Sequence, residues 1–191
     1  MSDTKVDLPG WLGSSQLAVL SRLASEVPAG GTMLEIGAFC GQASAALLEA
    51  APRGTKLIAI SAWDPPGKVE DRPPLRARGG RRAERSAAEY KEDLADYPVE
   101  TIDSNRPILS IQQKKPEQLY DLIYLFEGFH EVPFEVQVDF WFSKLKPMGC
   151  LCGADFVVGF RENVRTLLRY ATRKKIALGI EQNIWQVYNA V

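Results

Sequence analysis

Residues 33–44, MLEIGAFCGQAS, hold the residue types best suited to chemistry in this chain. A short apolar run ends at Glu35, Gly37 and Gly41 follow four apart, and a small-residue helical pattern begins at Gln42. That order is strand, tight turn, helix start. Glycine admits positive φ and close backbone approach, and the unpaired N–H groups of a helix start suit an anionic ligand group. A single Gly-rich turn also occurs where nothing binds, so by itself it leaves both readings open. The other chemically capable residues are few. His130 is the only histidine, and alone it reads as a polar surface residue. Cys40, Cys150 and Cys152 form a sparse, odd set; Cys150 and Cys152 would share one strand face but lack Cys or His neighbours for zinc. They read as small buried residues of a reducing, cytoplasmic compartment.

These residues need elements to position them. Residues 14–27 repeat Leu17, Leu20, Leu23, Ala24 and Val27 at helical spacing behind a Ser14 or Ser15 cap. A strand is expected at 32–36, a helix at 42–51 and a second buried strand at 56–60, which implies a right-handed parallel crossover. Residues 62–80 break the rhythm with Pro65, Pro66, Pro73, Pro74 and three glycines, so a long loop is expected. Loops of that length are often binding loops or lids. Arg72, Arg76, Arg78, Arg81, Arg82 and Arg85 crowd its second half, as either a solvated charged loop or a lid that meets an acidic substrate or partner. A mostly exposed helix at 83–97 follows, with Glu and Lys at helix-pair spacings. Strands are then expected at 98–102, 120–126 and 150–156, with a partly helical stretch before residue 118. A helix at 133–145 would offer Val136, Phe140 and Trp141 to the sheet, and Lys146-Pro147-Met148-Gly149 would form a turn. A helix at 162–172 precedes strands at 175–180 and 183–188, which only Glu181-Gln182 separates, so they should form a hairpin.

Alternating strands and helices of this kind predict an α/β fold, a Rossmann-like doubly wound sheet of seven strands, mostly parallel with a C-terminal antiparallel hairpin. The 191 residues fit one domain over 1–191, with an N-terminal segment and helix over 1–30 and a Pro/Arg-rich loop over 62–82. A net charge of −1 argues against a generally nucleic-acid-binding surface. No apolar run reaches the roughly 18–20 residues that cross a bilayer, and the first residues lack a basic-then-apolar signal pattern. A cytoplasmic protein without membrane association is expected.

With these elements in place, the chain resembles the class I S-adenosylmethionine-dependent methyltransferases. Within them it is similar to the macrocin- and mycinamicin-type sugar O-methyltransferases and the cephalosporin-hydroxylase-like proteins. The resemblance runs from about Trp11 to Trp185. It rests on LEIGAFCGQAS at 34–44, AWD at 62–64, and YDLIYLFEGFHEVPFEVQVDFWFSKLKPMGCLCGADF at 120–156. It implies a cofactor at the C-terminal ends of the first strands, where open parallel sheets bind ligands in general. Glu35, Gly37, Ala38 and Gly41 would surround the cofactor's methionine part: an acidic acceptor suits its amino group and helix-start N–H donors suit its carboxylate. Phe39 stands where many such enzymes have a middle glycine.

The resemblance also implies an acidic ribose-binding residue at the end of the second strand. Ser61 occupies that position and lacks a two-oxygen grip; Asp64 would substitute if the loop turns back. Trp63 falls at an aromatic position near the adenosine, or covers the sheet edge. Asp103 and Ser104 match an Asp-Ser turn beside the adenine. Glu127 and Asp155 match carboxylates that bind Mg²⁺ in metal-dependent relatives, and His130 matches the base that takes the acceptor's hydroxyl proton. This site departs from the pattern at Glu127, Phe129 and Ala154, so Mg²⁺ dependence is an open expectation. The implied activity is O-methylation of a small hydroxylated acceptor, a sugar or natural-product scaffold. The alternative is a non-catalytic methyltransferase-like protein that binds cofactor, a partner, or neither. Trp11 and the segment before the first helix could seal the site or pair with a second subunit in a homo-oligomer.

Overall fold

A computed structural model describes residues 8, 10–63, 87–126, 132–154 and 161–190. The Arg-rich stretch of 64–86, with Asp64, lies outside the described residues, as do Glu127, His130 and Asp155. The elements in chain order are α1 (Ser14–Ser25), β1 (Thr32–Ile36), α2 (Gln42–Ala50), β2 (Lys56–Ser61), α3 (Ala87–Asp93), β3 (Val99–Asp103) and α4 (Pro107–Lys114). They continue with β4 (Tyr120–Leu125), α5 (Phe134–Phe142), β5 (Leu145–Gly153), α6 (Arg161–Lys174), β6 (Leu178–Glu181) and β7 (Ile184–Tyr188). The strands form one seven-stranded sheet in the order β3-β2-β1-β4-β5-β7-β6. β7 runs antiparallel to both its neighbours and the other pairings are parallel, as the sequence predicts.

Alternation along the strands splits the core into two layers. Met33 and Leu57 face α1 and α2, packing with Leu20, Leu23 and Leu47. Leu34, Ile36, Ile58 and Ile123 face the other way, onto Ile111 of α4, Val138 and Trp141 of α5, and Tyr170 of α6. A sheet buried on both faces explains why the strands read as continuous apolar runs. Cys150 and Cys152 are buried free thiols of the first layer. Among the described residues no helix is long and apolar enough to cross a membrane.

Several local expectations change. The cap of α1 is Gly13, whose N–H donates to the Gln16 Oε1 at 3.0 Å, so neither Ser14 nor Ser15 serves as the cap. In α5 it is Val138 that is buried with Trp141, while Val136 is exposed; a half-turn of phase separates the two. The helix α3 is exposed at Glu89, Lys91 and Glu92, yet Tyr90 and the following Leu94 are fully buried. The Lys146–Gly149 turn is a bulge within β5: the register jumps between Tyr120↔Leu145 and Leu122↔Cys150, with Met148 at φ 62°. The hairpin turn is Gln182-Asn183, one residue later than expected. Both residues have positive φ, 50° and 65°, which is the two-residue turn that matches strand twist. At the N-terminal edge of the sheet, Asp121 accepts from the Thr32 N–H and pairs with Lys146, both at 2.7 Å. That ion pair fastens β1, β4 and β5 at the end opposite β1's Gly turn.

Candidate functional site

The sheet order reverses direction between β1 and β4, since the chain leaves β1 toward β2 on one side and returns to β4 on the other. A crevice is expected outside the C-terminal ends of strands at such a point. The structure has one there, a cleft of about 260 Å³ lined by Trp11, Glu35, Gly37, Phe39, Gln42 and Phe126, among others.

The floor of the cleft is the turn from β1 to α2. Gly37 and Gly41 have φ of 88° and 86°, the left-handed region that glycine enters without a Cβ penalty. The N–H groups of Gly37 and Ala38 donate to the Ile60 carbonyl at 2.8 and 3.3 Å, so the turn is bolted to β2. Those two N–H groups are therefore committed to the fold. The donors left for an anion are the first N–H groups of α2, which precede any intrahelical acceptor; the Ala45 N–H is already bonded to the Gly41 carbonyl.

Phe39 holds a left-handed backbone, φ 44°, at the position where glycine is common. For a non-glycine residue this costs about 1–2 kcal/mol, and its surroundings explain why it persists. Its N–H donates to the Ser61 Oγ at 3.2 Å. Its carbonyl accepts the Trp63 indole N–H at 3.0 Å. Its ring lies edge-on to Trp11 and to Phe126, with centroids 5.4 and 5.3 Å away. The Ser61 side chain, fully buried, thus holds the turn from the end of β2. Ser61→Ala should lower stability by about 1–3 kcal/mol, the cost of leaving the Phe39 N–H without its partner, read from urea unfolding midpoints.

The remaining described site residues line up along the same sheet edge. Asp103 pairs in register with Ser61; its exposed carboxylate accepts the Trp63 main-chain N–H at 3.3 Å through Oδ1. The Ser104 N–H donates to the Ser61 carbonyl at 2.9 Å, and its Oγ accepts the Arg106 N–H. Trp63 is 5% exposed and packs on Tyr90 at 5.0 Å between centroids, as a cover of the sheet edge would. The structure therefore groups Glu35, Gly37 and Ala38 at the cleft and Ser61, Trp63, Asp103 and Ser104 beside it. Among the described residues no group of three or more His, Cys, Asp or Glu side chains could hold a metal.

Glu35 is the electrostatic centre. It is 1% exposed. Its Oε2 accepts the Ser44 hydroxyl, and the Ser44 Oγ accepts the Tyr90 hydroxyl at 2.9 Å. Its Oε1 has no partner. Burial pushes the carboxyl up to about 7, against the opposing pull of the Ser44 bond. Burial and then the nearby Glu35 charge raise the Tyr90 phenol well above its ordinary value. Ser44 and Tyr90 were not singled out from the sequence. Ser44 had a usable signal, a small polar residue in the first turn of a mostly apolar helix; Tyr90 had none, because its place depends on how α3 folds back.

The sequence matches no protein-family model and no curated protein. Solved structures do resemble the fold. The chain is similar to the O-methyltransferase TomG of Streptomyces achromogenes, involved in tomaymycin synthesis and solved with SAM, at TM-score 0.59 and 16% identity over 93% of this chain and 80% of that one. It is also similar to an O-methyltransferase from Bacillus cereus solved with SAH, at TM-score 0.58 and 13% identity, covering 93% and 82%. A precorrin-6y C5,15-methyltransferase from Geobacter metallireducens gives 0.59 and 12%, covering 98% and 94%. At these identities the likeness shows the fold, which is the Rossmann-like methyltransferase fold. It extends to an enzyme whose name denotes methylation at carbon, so the fold does not select the acceptor atom.

Proposed function

We propose that this chain is an S-adenosylmethionine-dependent methyltransferase that methylates a hydroxyl of a small molecule, of sugar or natural-product type. The observation that carries the reading is the unpartnered Glu35 Oε1 in a cleft that also holds the start of α2. A buried acceptor beside helix-start donors is complementary to an amino group and a carboxylate on one carbon, the amino-acid end of S-adenosylmethionine. The residues present fit the group.

When bound, the cofactor supplies an electrophilic methyl group. Glu35 would accept from its amino group, and the N–H groups of Gln42, Ala43 and Ser44 would face its carboxylate. Asp103, exposed at the end of β3, and Asp64 are the carboxylates in sequence range for the ribose, beside Ser61, whose hydroxyl accepts the Phe39 N–H. His130 would take the acceptor's hydroxyl proton, and the aromatic rings at the cleft exclude water so that alignment does most of the work. Glu127 and Asp155 would hold Mg²⁺ against the acceptor oxygens.

Titration calorimetry with S-adenosylmethionine and S-adenosylhomocysteine, with and without Mg²⁺, tests the proposal. Binding with a matching rise in Tm is expected, because a ligand of the native state must stabilise it. No binding at millimolar cofactor overturns it. One observation favours a second reading: the Ser61 side chain is fully buried and its hydroxyl already accepts the Phe39 N–H. If cofactor binds but no hydroxylated acceptor is turned over, a methyltransferase-like binding protein is the better description.

A further inference from the structure

Gly10, Trp11 and Leu12 line the cleft just ahead of α1. Their attachment is specific. The Gln42 side chain, at the first position of α2, makes two main-chain bonds to one residue: its Oε1 accepts the Leu12 N–H at 3.0 Å and its Nε2 donates to the Leu12 carbonyl at 3.3 Å. The amide thus pairs with Leu12 as a neighbouring strand would. Gly10 fits directly over the same side chain, where a Cβ would lie 1.8 Å from the Gln42 Oε1. Leu8 and Leu12 anchor either side of this segment in the core that contains α1 and α2. Between them, Trp11 stacks on Phe126 at 5.8 Å and 27° and meets the Phe39 ring edge-on. Its ring therefore bridges the ends of β1 and β4.

The space beneath is small. The roughly 260 Å³ of free space there includes open solvent, so the enclosed room beneath Trp11 is only a fraction of what a small molecule fills. A ligand large enough to engage Glu35 must meet this segment or displace it. We propose that residues 10–13 are a latched strap over the ligand cleft: Gln42 is the latch, and Trp11 is the ring that closes over the bound cofactor. Gln42 is a positioning residue, acting through Leu12 on Trp11. The latch sits on the helix whose first N–H groups face the ligand, so strap and ligand share one support. This deepens the cofactor assignment proposed above and rests on it.

The test uses the full chain and S-adenosylhomocysteine as the probe. Trp63, Trp141 and Trp185 are at most 5% exposed, whereas Trp11 is half-buried in the cleft wall. Saturating ligand is expected to change the intrinsic fluorescence, and Trp11→Phe to abolish that change. Stopped-flow displacement then gives the dissociation rate. Gln42→Ala removes both bonds and should speed release about tenfold or more, with a urea midpoint that still reports a folded protein. Gln42→Glu keeps an acceptor for the Leu12 N–H but loses the donor, and should fall between. Gly10→Ala displaces the amide from the other side and should match Gln42→Ala if the latch is the cause. Release rates and fluorescence within twofold of the parent in Gln42→Ala, with calorimetric binding intact, overturn the strap alone. Absence of calorimetric binding in the parent overturns the cofactor assignment and the strap's role with it.

Discussion

Glu35→Gln should make the ligand-free protein more stable above pH 7 and leave it unchanged near pH 4.5. The sign follows from where the proton resides. Burial raises the folded-state carboxyl from 4.5 to about 7, so between these values the folded protein holds a proton that the unfolded chain has released. Stability therefore falls as pH rises through that window and stays low above it. A shift of this size corresponds to roughly 3 kcal/mol, a large share of the 5–15 kcal/mol typical of a domain. The amide is neutral at every pH and escapes the penalty. Urea unfolding of both proteins at pH 5 and pH 8 reads the effect; parallel curves for the two proteins would sink it.

The same substitution should cost binding. An amino group placed on Oε1 stabilises the ionised carboxylate, so S-adenosylhomocysteine binding near pH 6.5 should release a proton. Calorimetry in two buffers of different ionisation enthalpy detects that release. Loss of a charge-assisted bond of about 1.5–3 kcal/mol predicts roughly ten- to hundredfold weaker binding in Glu35→Gln at pH 8. A residue that weakens the apo fold and strengthens the complex is behaving as a ligand group.

His130→Ala is expected to abolish transfer while sparing cofactor affinity. The chain has no other histidine, and His130 comes five residues after the end of β4, the strand beside β1. A positioned general base contributes about 10²–10⁴-fold, and removal should appear in kcat with S-adenosylhomocysteine affinity within twofold. The parent's rate should fall as the pH is lowered, because a protonated imidazole cannot accept the hydroxyl proton. Turnover equal to the parent's removes His130 from the chemistry, and leaves the binding role of Glu35 standing on its own test.

Where the chain's periodicity was strong, the fold was legible. Residues 32–36 and 56–60 carried β1 and nearly all of β2, since a strand buried on both faces is a continuous apolar run. The closing hairpin followed from the shortness of its link, although two positive-φ residues placed the turn one residue along. Simple cap and phase rules failed where a particular side-chain contact decided the outcome. Gly13 caps α1 because the Gln16 amide reaches back to it. Val136 and Val138 have equal propensity and opposite burial, because the phase of α5 is set by Trp141 against the sheet.

The site shows the same division. Glu35 and the flanking glycines were visible because an acidic residue and positive-φ positions leave marks on local sequence. The role of Ser61 was not. Its hydroxyl meets the Phe39 N–H across two crossing segments, and only that contact shows it holding the turn. Phe39 looked like a departure from a glycine pattern; Ser61, Trp63 and two aromatic rings together sustain its left-handed backbone. By itself the sequence determined the order of strands and helices, the Gly turn and the acidic residue beneath it, all consequences of patterns a few residues long. The tertiary structure decided that Glu35 is shared with Ser44 and Tyr90 and that Trp11 is drawn over the cleft by Gln42. Those contacts join residues up to 46 positions apart, and chain connectivity carries no record of such pairings until the sheet has assembled and brought its loops together at one edge.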